Sequence, residues 1–388
     1  MSQSQLHAEE LSGVSFSAAL SACQQRAPEQ ASLATAQSLI QQRRSDWLAS
    51  APSLNLDYTQ GNDDLAMGDE FQLSLSTQVR LPHQQQTARS LSQSQSQLLS
   101  DEQALLGWHC AVRLQDWWWQ MQRINQQQQR IKDQLSAAQQ QLDWLELMVK
   151  QGERPASERL LLQQSWQALV NQSFELNQQG ADLALQFEQW TGFNKLPSNW
   201  SPHLTASQSS EQPLDNHPLL ANGQHQLANL RLQQQASRQQ GYLPELSIGF
   251  KQLQATSTTD SANLITLGIS LPLGSEGYQG RLGLATEQAG LDRTVLETRQ
   301  QIERQRRIVG QQLPQLAERS EALKQLSVEA ESQYQLQFQS WQQGLISGLE
   351  WLQTRHSIWA IQQQADKAQL DYLAAISQWN QLQGVIPE

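Results

Sequence analysis

Charged residues are scarce for a chain this polar. Asp, Glu, Lys and Arg supply 16% of residues and hydrophobic types 38%, yet the mean hydropathy is -0.59, so uncharged polar side chains carry the difference. Positive charge is scarcer still. Twenty-six basic residues against 37 acidic ones leave a net charge of -11 with no basic arm or stripe, which argues against a nucleic-acid partner. No run of about 18 apolar residues occurs, which excludes a transmembrane helix. The two cysteines, Cys23 and Cys110, offer neither a disulfide framework nor metal-ligand spacing, and are expected to be small buried side chains. Seven histidines are scattered, and His109-Cys110 is a lone pair without further ligands nearby. There is no phosphate loop, nucleophile elbow or paired-carboxylate motif. The expectation is a protein that is no enzyme and has no cofactor and no metal site. Met1 to Glu10 has neither the basic nor the apolar region of a secretory leader, which taken alone would predict a cytosolic protein.

Glutamine is what the chain has instead. Runs at Gln126–Gln129, Gln139–Gln141 and Gln362–Gln364 sit inside segments of helical spacing, and Gln is a good helix former. Biased polar tracts often stay disordered, but 13 Trp at regular helical positions predict long ordered helices that bury a narrow stripe.

An internal repeat organises the chain. Pro52 recurs as Pro244 and Gly152 as Gly344, and 244 − 52 = 344 − 152 = 192. Trp190-Thr191-Gly192 returns at the same offset as Leu382-Gln383-Gly384. Ala27-Pro28 with His217-Pro218, and Leu81-Pro82 with Leu271-Pro272, lie 190 apart. Landmarks in one order at nearly one offset imply a duplicated unit. The first repeat covers 1–192, with strands about 52–61 and 70–82 and a helical hairpin about 83–192; a linker covers 193–216. The second covers 217–388, with strands about 243–254 and 262–273 and a hairpin about 275–384.

The strands show period two. Phe71, Leu73, Leu75, Val79 and Leu81 fall on one face and Gln72, Ser74, Ser76, Gln78 and Arg80 on the other; Leu246, Ile248 and Phe250, then Ile265, Leu267, Ile269 and Leu271, also alternate. About ten residues of alternation suits a tilted strand crossing a bilayer. Gln60 to Asp69 and Ala255 to Ala262 read as hairpin loops. From 83 to 150 no proline interrupts the helical pattern, and 280 to 343 has the same character except for Pro314, expected to bend it. The return helices carry a three-four seam: Ile358, Ile361, Ala365, Ala368, Tyr372, Ala375, Trp379 and Leu382, matched 192 earlier by Trp166, Leu169, Ser173, Leu176, Gly180, Leu183, Phe187 and Trp190. Trp117-Trp118-Trp119 predicts a packed aromatic girdle.

Two strands, a very long helix, a glycine turn and a return helix, all duplicated, resemble the TolC family of outer-membrane efflux proteins. Phe16-Ser17-Ala18-Ala19-Leu20 with Arg26-Ala27-Pro28-Glu29 is similar to the family's opening helix, and His217-Pro218-Leu219-Leu220 to its second-half counterpart. Leu267 to Gly274 resembles the strand that ends in Pro-Leu before the second long helix. Val149-Lys150-Gln151-Gly152 with Glu158, and Trp341-Gln342-Gln343-Gly344 with Glu350, resemble the two periplasmic hairpin tips.

The resemblance implies a mainly helical chain with a membrane β-barrel: a homotrimer whose three sets of four strands form one 12-stranded barrel, joined to a helical periplasmic tunnel. Four strands cannot close a barrel alone, and an open edge in lipid leaves backbone groups unpaired. Phe71, Leu73, Leu75, Leu246, Ile248, Phe250, Ile265, Leu267 and Ile269 would face outer-membrane lipid. Gly152, Glu158, Trp341, Gly344 and Glu350 would form the aperture and the contact with a periplasmic adaptor, beyond which lies an inner-membrane pump of the RND type. Glu350, repeated three times, would ring the entrance, where crowded like charge raises a carboxyl pKa. The chain departs from the family at Ile346, where relatives place an Arg, and at Gln353, where a second acid is expected. The resemblance implies a passive export duct in a Gram-negative outer membrane for metal ions or drugs, leaning to the heavy-metal branch, with its leader removed before Met1. The competing readings are a soluble or periplasmic coiled-coil structural protein, the adaptor itself, and a type I protein secretion channel of the same family.

Overall fold

The computed structural model describes residues 14–41, 47–60, 69–194, 214–240, 242–254, 261–271 and 278–385. The stretch Met1 to Glu10, most of the expected linker and both hairpin loops, and the Pro272-Leu273-Gly274 segment lie outside the described residues. In chain order the elements are α1 (Phe16–Arg26), α2 (Glu29–Gln41), β1 (Ser53–Thr59), β2 (Glu70–Gln78), α3 (Pro82–Gln151), α4 (Ala156–Thr191), a short 3-10 turn (Leu214–Asn216), α5 (Pro218–Gln240), β3 (Glu245–Leu253), β4 (Ala262–Ser270), α6 (Tyr278–Gln342) and α7 (Gly348–Leu382). This is the expected mainly helical class with one small antiparallel sheet. Two compact units emerge, each with pieces of both repeats: 1–30, 105–217 and 300–388 form one, and 31–104 with 218–299 the other.

In the second unit the four strands form one antiparallel sheet in the order β1-β2-β3-β4. Its register explains the alternation. Leu56 pairs with Leu73, Leu73 with Phe250 and Phe250 with Ile265; one step along, Leu54, Leu75, Ile248 and Leu267 form a second row. All of these share one face, and the opposite face carries Asn55, Ser74, Gly249 and Thr266, then Asp57, Gln72, Lys251 and Leu264. The apolar face is uncovered in a single chain: Ile265 is 78% exposed and Leu267 81%. Two-sided patterning of this kind suits a boundary between hydrocarbon and water. Each repeat supplies one hairpin, and β2–β3 joins them across the repeats. Among the described residues nothing pairs with the outer edges of β1 and β4. The helices of this unit are joined by polar bonds: His225 to Asp101, Asn229 Nδ2 to Ser94 Oγ (3.1 Å) and Gln234 Nε2 to Gln288 Oε1 (2.9 Å).

The long helices are α3, with 70 residues, and α6, with 65. At 1.5 Å per residue each is on the order of 100 Å long. Pro82 opens α3, a position where the missing N–H costs nothing. Pro314 lies inside α6, which continues through it. The seam is buried at the predicted period: Leu162, Leu169, Leu176 and Leu183, seven residues apart, are the buried stripe of α4, and Ile358, Ala365, Ala368, Ala375 and Leu382 belong to that of α7. By contrast α6 buries only Ile302, Val309, Ala330 and Trp341 among its described side chains, leaving Leu296, Val328 and Leu336 more than half exposed.

One expectation is corrected. Cys23 and Cys110 are buried, at 4% and 5% exposure, but they are bonded to each other in a disulfide with Cα atoms 6.0 Å apart. A spacing of 87 residues gives no sequence signal because α1 and α3 meet only in the fold. The bridge sits in a core with Phe16, Ala19, Leu114, Trp117, Met121 and Phe187. Closing a loop of that size stabilises a chain by about 4–5 kcal/mol in the chain-entropy picture. Next to it, Trp117 stacks on Phe187 at 4.5 Å and its Nε1–H donates to the Leu183 carbonyl at 2.7 Å. Trp117 and Trp119 are buried and Trp118 half-buried.

Candidate functional site at the hairpin turns

Both hairpin turns belong to the first unit and share one backbone solution. Gly152 and Gly344 have φ of 78° and 77°, in the left-handed region that disfavours a Cβ. At the first, Gly152 N–H donates to the Val149 carbonyl and Glu153 N–H to that of Met148; at the second, Gly344 N–H donates to Trp341 and Leu345 N–H to Ser340. These double bonds satisfy the last carbonyls of the long helices.

The side chains then diverge. In the first turn Glu158 and Arg154 pair at 3.6 Å, and both side chains are nearly buried, at 13% and 12% exposure. Glu158 Oε1 also accepts from Gly348 N–H, at 3.3 Å, at the start of α7. Gly348 is needed for that approach, since a Cβ there would lie 2.7 Å from the Glu158 side chain. Arg154 donates to the Trp341 carbonyl and lies over the Trp341 ring, 5.8 Å from its centroid. The first turn is thus fastened to the second by a carboxylate and a guanidinium.

In the second turn Glu350 caps its own helix. Ser347 Oγ accepts from Glu350 N–H at 3.2 Å, and the Glu350 carboxylate accepts from Ser347 N–H at 2.9 Å, a capping box. These bonds to the ionised form hold the Glu350 pKa below the ordinary carboxylate range. Within one chain the direction is therefore opposite to the rise expected from crowded like charges.

Below the turns lies an aromatic layer. Trp341 and Trp351, at 1% and 0% exposure, stack at 5.9 Å with planes 14° apart, and Trp144 meets Trp341 edge-on at 4.7 Å. Leu145 and Leu162 complete the cluster from the first hairpin. Four residues beyond Trp351 is Arg355, fully buried. Its Nη1 donates to Gln141 Oε1 and its Nη2 to Ser165 Oγ, both at 2.6 Å, and its guanidinium lies 4.4 Å from the centroid of Trp359. Neutral acceptors and a ring face replace a carboxylate, and burial lowers the pKa to about 10. Burial, with Arg355 adding to it, also lowers the pKa of His356. Further along, Arg130 is held by both Asp366 oxygens and Arg123 by Asp371 at 3.2 Å, so α7 is ion-paired to α3 twice. These pairs flank a cavity of about 460 Å³ with Gln127, Gln134, Ser165 and Trp359 in its wall.

The five expected tip residues fall into three groups. Gly152 and Gly344 make the turns; Glu158 and Trp341 are joined through Arg154; Glu350 stands apart, exposed in its cap. Arg154, Ser347, Trp351 and Arg355 were missed. The repeat offset points to Arg154, which is Ile346 minus 192, and Ser347-Gly348-Leu349-Glu350 has the capping-box spacing. Extending the α7 seam backwards from Ile358 by three and then four residues reaches Arg355 and Trp351. Among the described residues no group of three or more His, Cys, Asp or Glu is placed to hold a metal.

No protein-family profile matches the sequence, and no curated protein matches it. Solved structures do. The outer membrane protein VceC from Vibrio cholerae superposes with a TM-score of 0.71 at 14% identity, over 95% of each chain. CusC, whose structures are described in terms of folding and transmembrane channel formation, gives 0.72 at 16% identity over 95% of this chain and 91% of its own. The open state of the Neisseria gonorrhoeae MtrE outer membrane channel gives 0.66 at 13%, over 95% and 88%. Chains this divergent share their fold over nearly their full length, and the fold of this chain is that of the TolC-like outer-membrane channels.

Proposed function

We propose that this chain is one subunit of a homotrimeric outer-membrane channel, the passive export duct of a tripartite efflux system in a Gram-negative bacterium. The observation that carries the reading is the sheet: four strands with one apolar and one polar face, and two edges that nothing among the described residues pairs. In lipid each unpaired backbone group costs several kcal/mol, so the edges require partner strands. Two further copies provide them and complete 12 strands. The scarcely covered α6 supports the same conclusion, since its exposed Leu296, Val328 and Leu336 need a neighbour. Phe71, Leu73, Leu75, Leu246, Ile248, Phe250, Ile265, Leu267 and Ile269 then face lipid, and the polar sheet face, with Lys251 paired to Glu70, faces water.

The hairpin turns meet the periplasmic adaptor of an RND-type pump, with Glu350 the exposed acid of the aperture and Gly152, Glu158, Trp341 and Gly344 its frame. The cargo is a metal ion or a drug. No residue in this duct performs chemistry; its work is to exclude lipid and pass solutes. The test is purification in detergent with the mass measured by light scattering, followed by insertion into planar bilayers. A trimer with discrete conductance steps is expected, and a detergent-independent monomer without β signal in circular dichroism overturns the proposal. Glu350→Ala in the same bilayers is expected to change conductance or cation selectivity; unchanged single-channel records remove the acidic ring.

A further inference from the structure

We infer that Cys23 and Cys110 are the substrate of a thiol-oxidation step outside the cytoplasm, and that the resulting disulfide, more than its apolar contacts, keeps α1 seated on α3. The inference stands on the pair itself and does not depend on the channel reading. α1 has 11 residues, below the length at which an isolated helix is stable, and it buries only Phe16, Ala19 and Cys23. One of its three anchors is therefore the bridge. At its C-terminal end Arg26 lies against Gly192, the C-cap of α4.

The second repeat has no such bridge. The positions 192 residues beyond Cys23 and Cys110 are Asp215 and Ile302. The staple thus belongs to the N-terminal segment alone, the part of a domain that most readily frays.

Both sulfurs are nearly inaccessible once α1 is seated, so the bond forms before or during docking. Disulfides persist in oxidising compartments and are rare in the cytosol. The oxidant is a protein dithiol oxidase in its disulfide form. The Cys23 thiolate, first to emerge, attacks one oxidant sulfur; a mixed disulfide forms and one oxidant thiolate leaves. The Cys110 thiolate then attacks the Cys23 sulfur, forming the Cys23–Cys110 bond and releasing the second oxidant thiolate. Two electrons pass to the oxidant, and the two cysteine protons end on its thiols.

The experiment uses the full chain exported behind a secretion leader and purified in detergent. Unfolded without reductant, it is treated with a polyethylene-glycol maleimide that adds one tag per free thiol. No tag is expected, and two after reduction; two tags before reduction overturn the oxidation step. The same chain produced in cells lacking the dithiol oxidase is expected to carry two tags, and none there removes the oxidase. Trypsin is then applied to the folded wild type and to the Cys23→Ser, Cys110→Ser double variant. Cleavage after Arg26 is expected to speed up at least tenfold while cleavage after Lys150 is unchanged; equal rates at Arg26 overturn the seating role. Wild type from the cells lacking the oxidase, which carries both thiols free, repeats the comparison without a substitution, and the same two outcomes apply.

Discussion

At the first hairpin turn Glu158 leaves its own helix and bonds to Gly348 of the second; at the second, Glu350, its counterpart 192 residues on, folds back onto Ser347. The backbones agree to within a degree of φ at Gly152 and Gly344. What differs is the residue before each return helix. Ser347 offers a side-chain cap that captures its acid, while Pro155 has none and leaves Glu158 free to reach across. Duplication has kept the turn and reassigned the charge: one acid fastens two hairpins, and the other is held at the surface. Arg154 completes the fastening, and its counterpart Ile346 packs on the aromatic cluster instead.

The largest expected effect lies beneath both turns. Trp351 is fully buried, and its counterpart in the first repeat is Arg159, so the second hairpin supplies most of the aromatic layer and the first adds Trp144. Trp351→Ala is expected to cost about 3–5 kcal/mol through the cavity it leaves, read as a lower thermal unfolding midpoint of the detergent-solubilised protein. Arg355→Ala strands Gln141 and Ser165 and is expected to cost about 3 kcal/mol. Arg355→Met leaves the same two groups without their donor but keeps an apolar stem in the space, and is expected to cost less by the cavity contribution alone. Equal losses for the two would assign the guanidinium a net stabilising role.

Glu158→Ala and Glu350→Ala break the comparison directly. The first leaves Arg154 nearly buried without its carboxylate and is expected to cost about 2–3 kcal/mol. The second removes an exposed cap and is expected to cost clearly less, measured by the same unfolding midpoint. If the order reverses, the fastening across hairpins is not what holds the turns together. Gly152→Ala and Gly344→Ala should each lose about 1–2 kcal/mol, because both glycines sit at positive φ. Equal losses at the two turns are the expected signature of a shared backbone motif.

The smallest effect concerns pH. Glu350 has a depressed folded-state pKa, so its contribution is fully present above the ordinary glutamate value and fades as pH falls through the lower folded one. Proteolysis at the second turn is therefore expected to speed up only as the solution becomes acidic below the usual carboxylate range. Glu350→Gln should abolish that dependence.

Much of this was legible in the sequence. The heptad seam on α7 and α4, the alternation in β2, β3 and β4, and the offset of 192 follow from local periodicity, which depends only on the backbone's own repeat. The Ser347 capping box and the place of Arg355 on the buried stripe were readable by the same means, from spacing alone. The disulfide was not, because it joins helices 87 residues apart whose approach no local pattern encodes.

By itself, then, the sequence determined where helices and strands fall, which faces are apolar and that the unit is doubled, since each is a matter of neighbours along the chain. Only the tertiary structure decided that Cys23 meets Cys110, that Glu158 reaches Gly348 while Glu350 does not, and that Arg355 is buried without a carboxylate. Those outcomes depend on which helices come within a few ångströms of each other, and packing across the whole chain sets that distance.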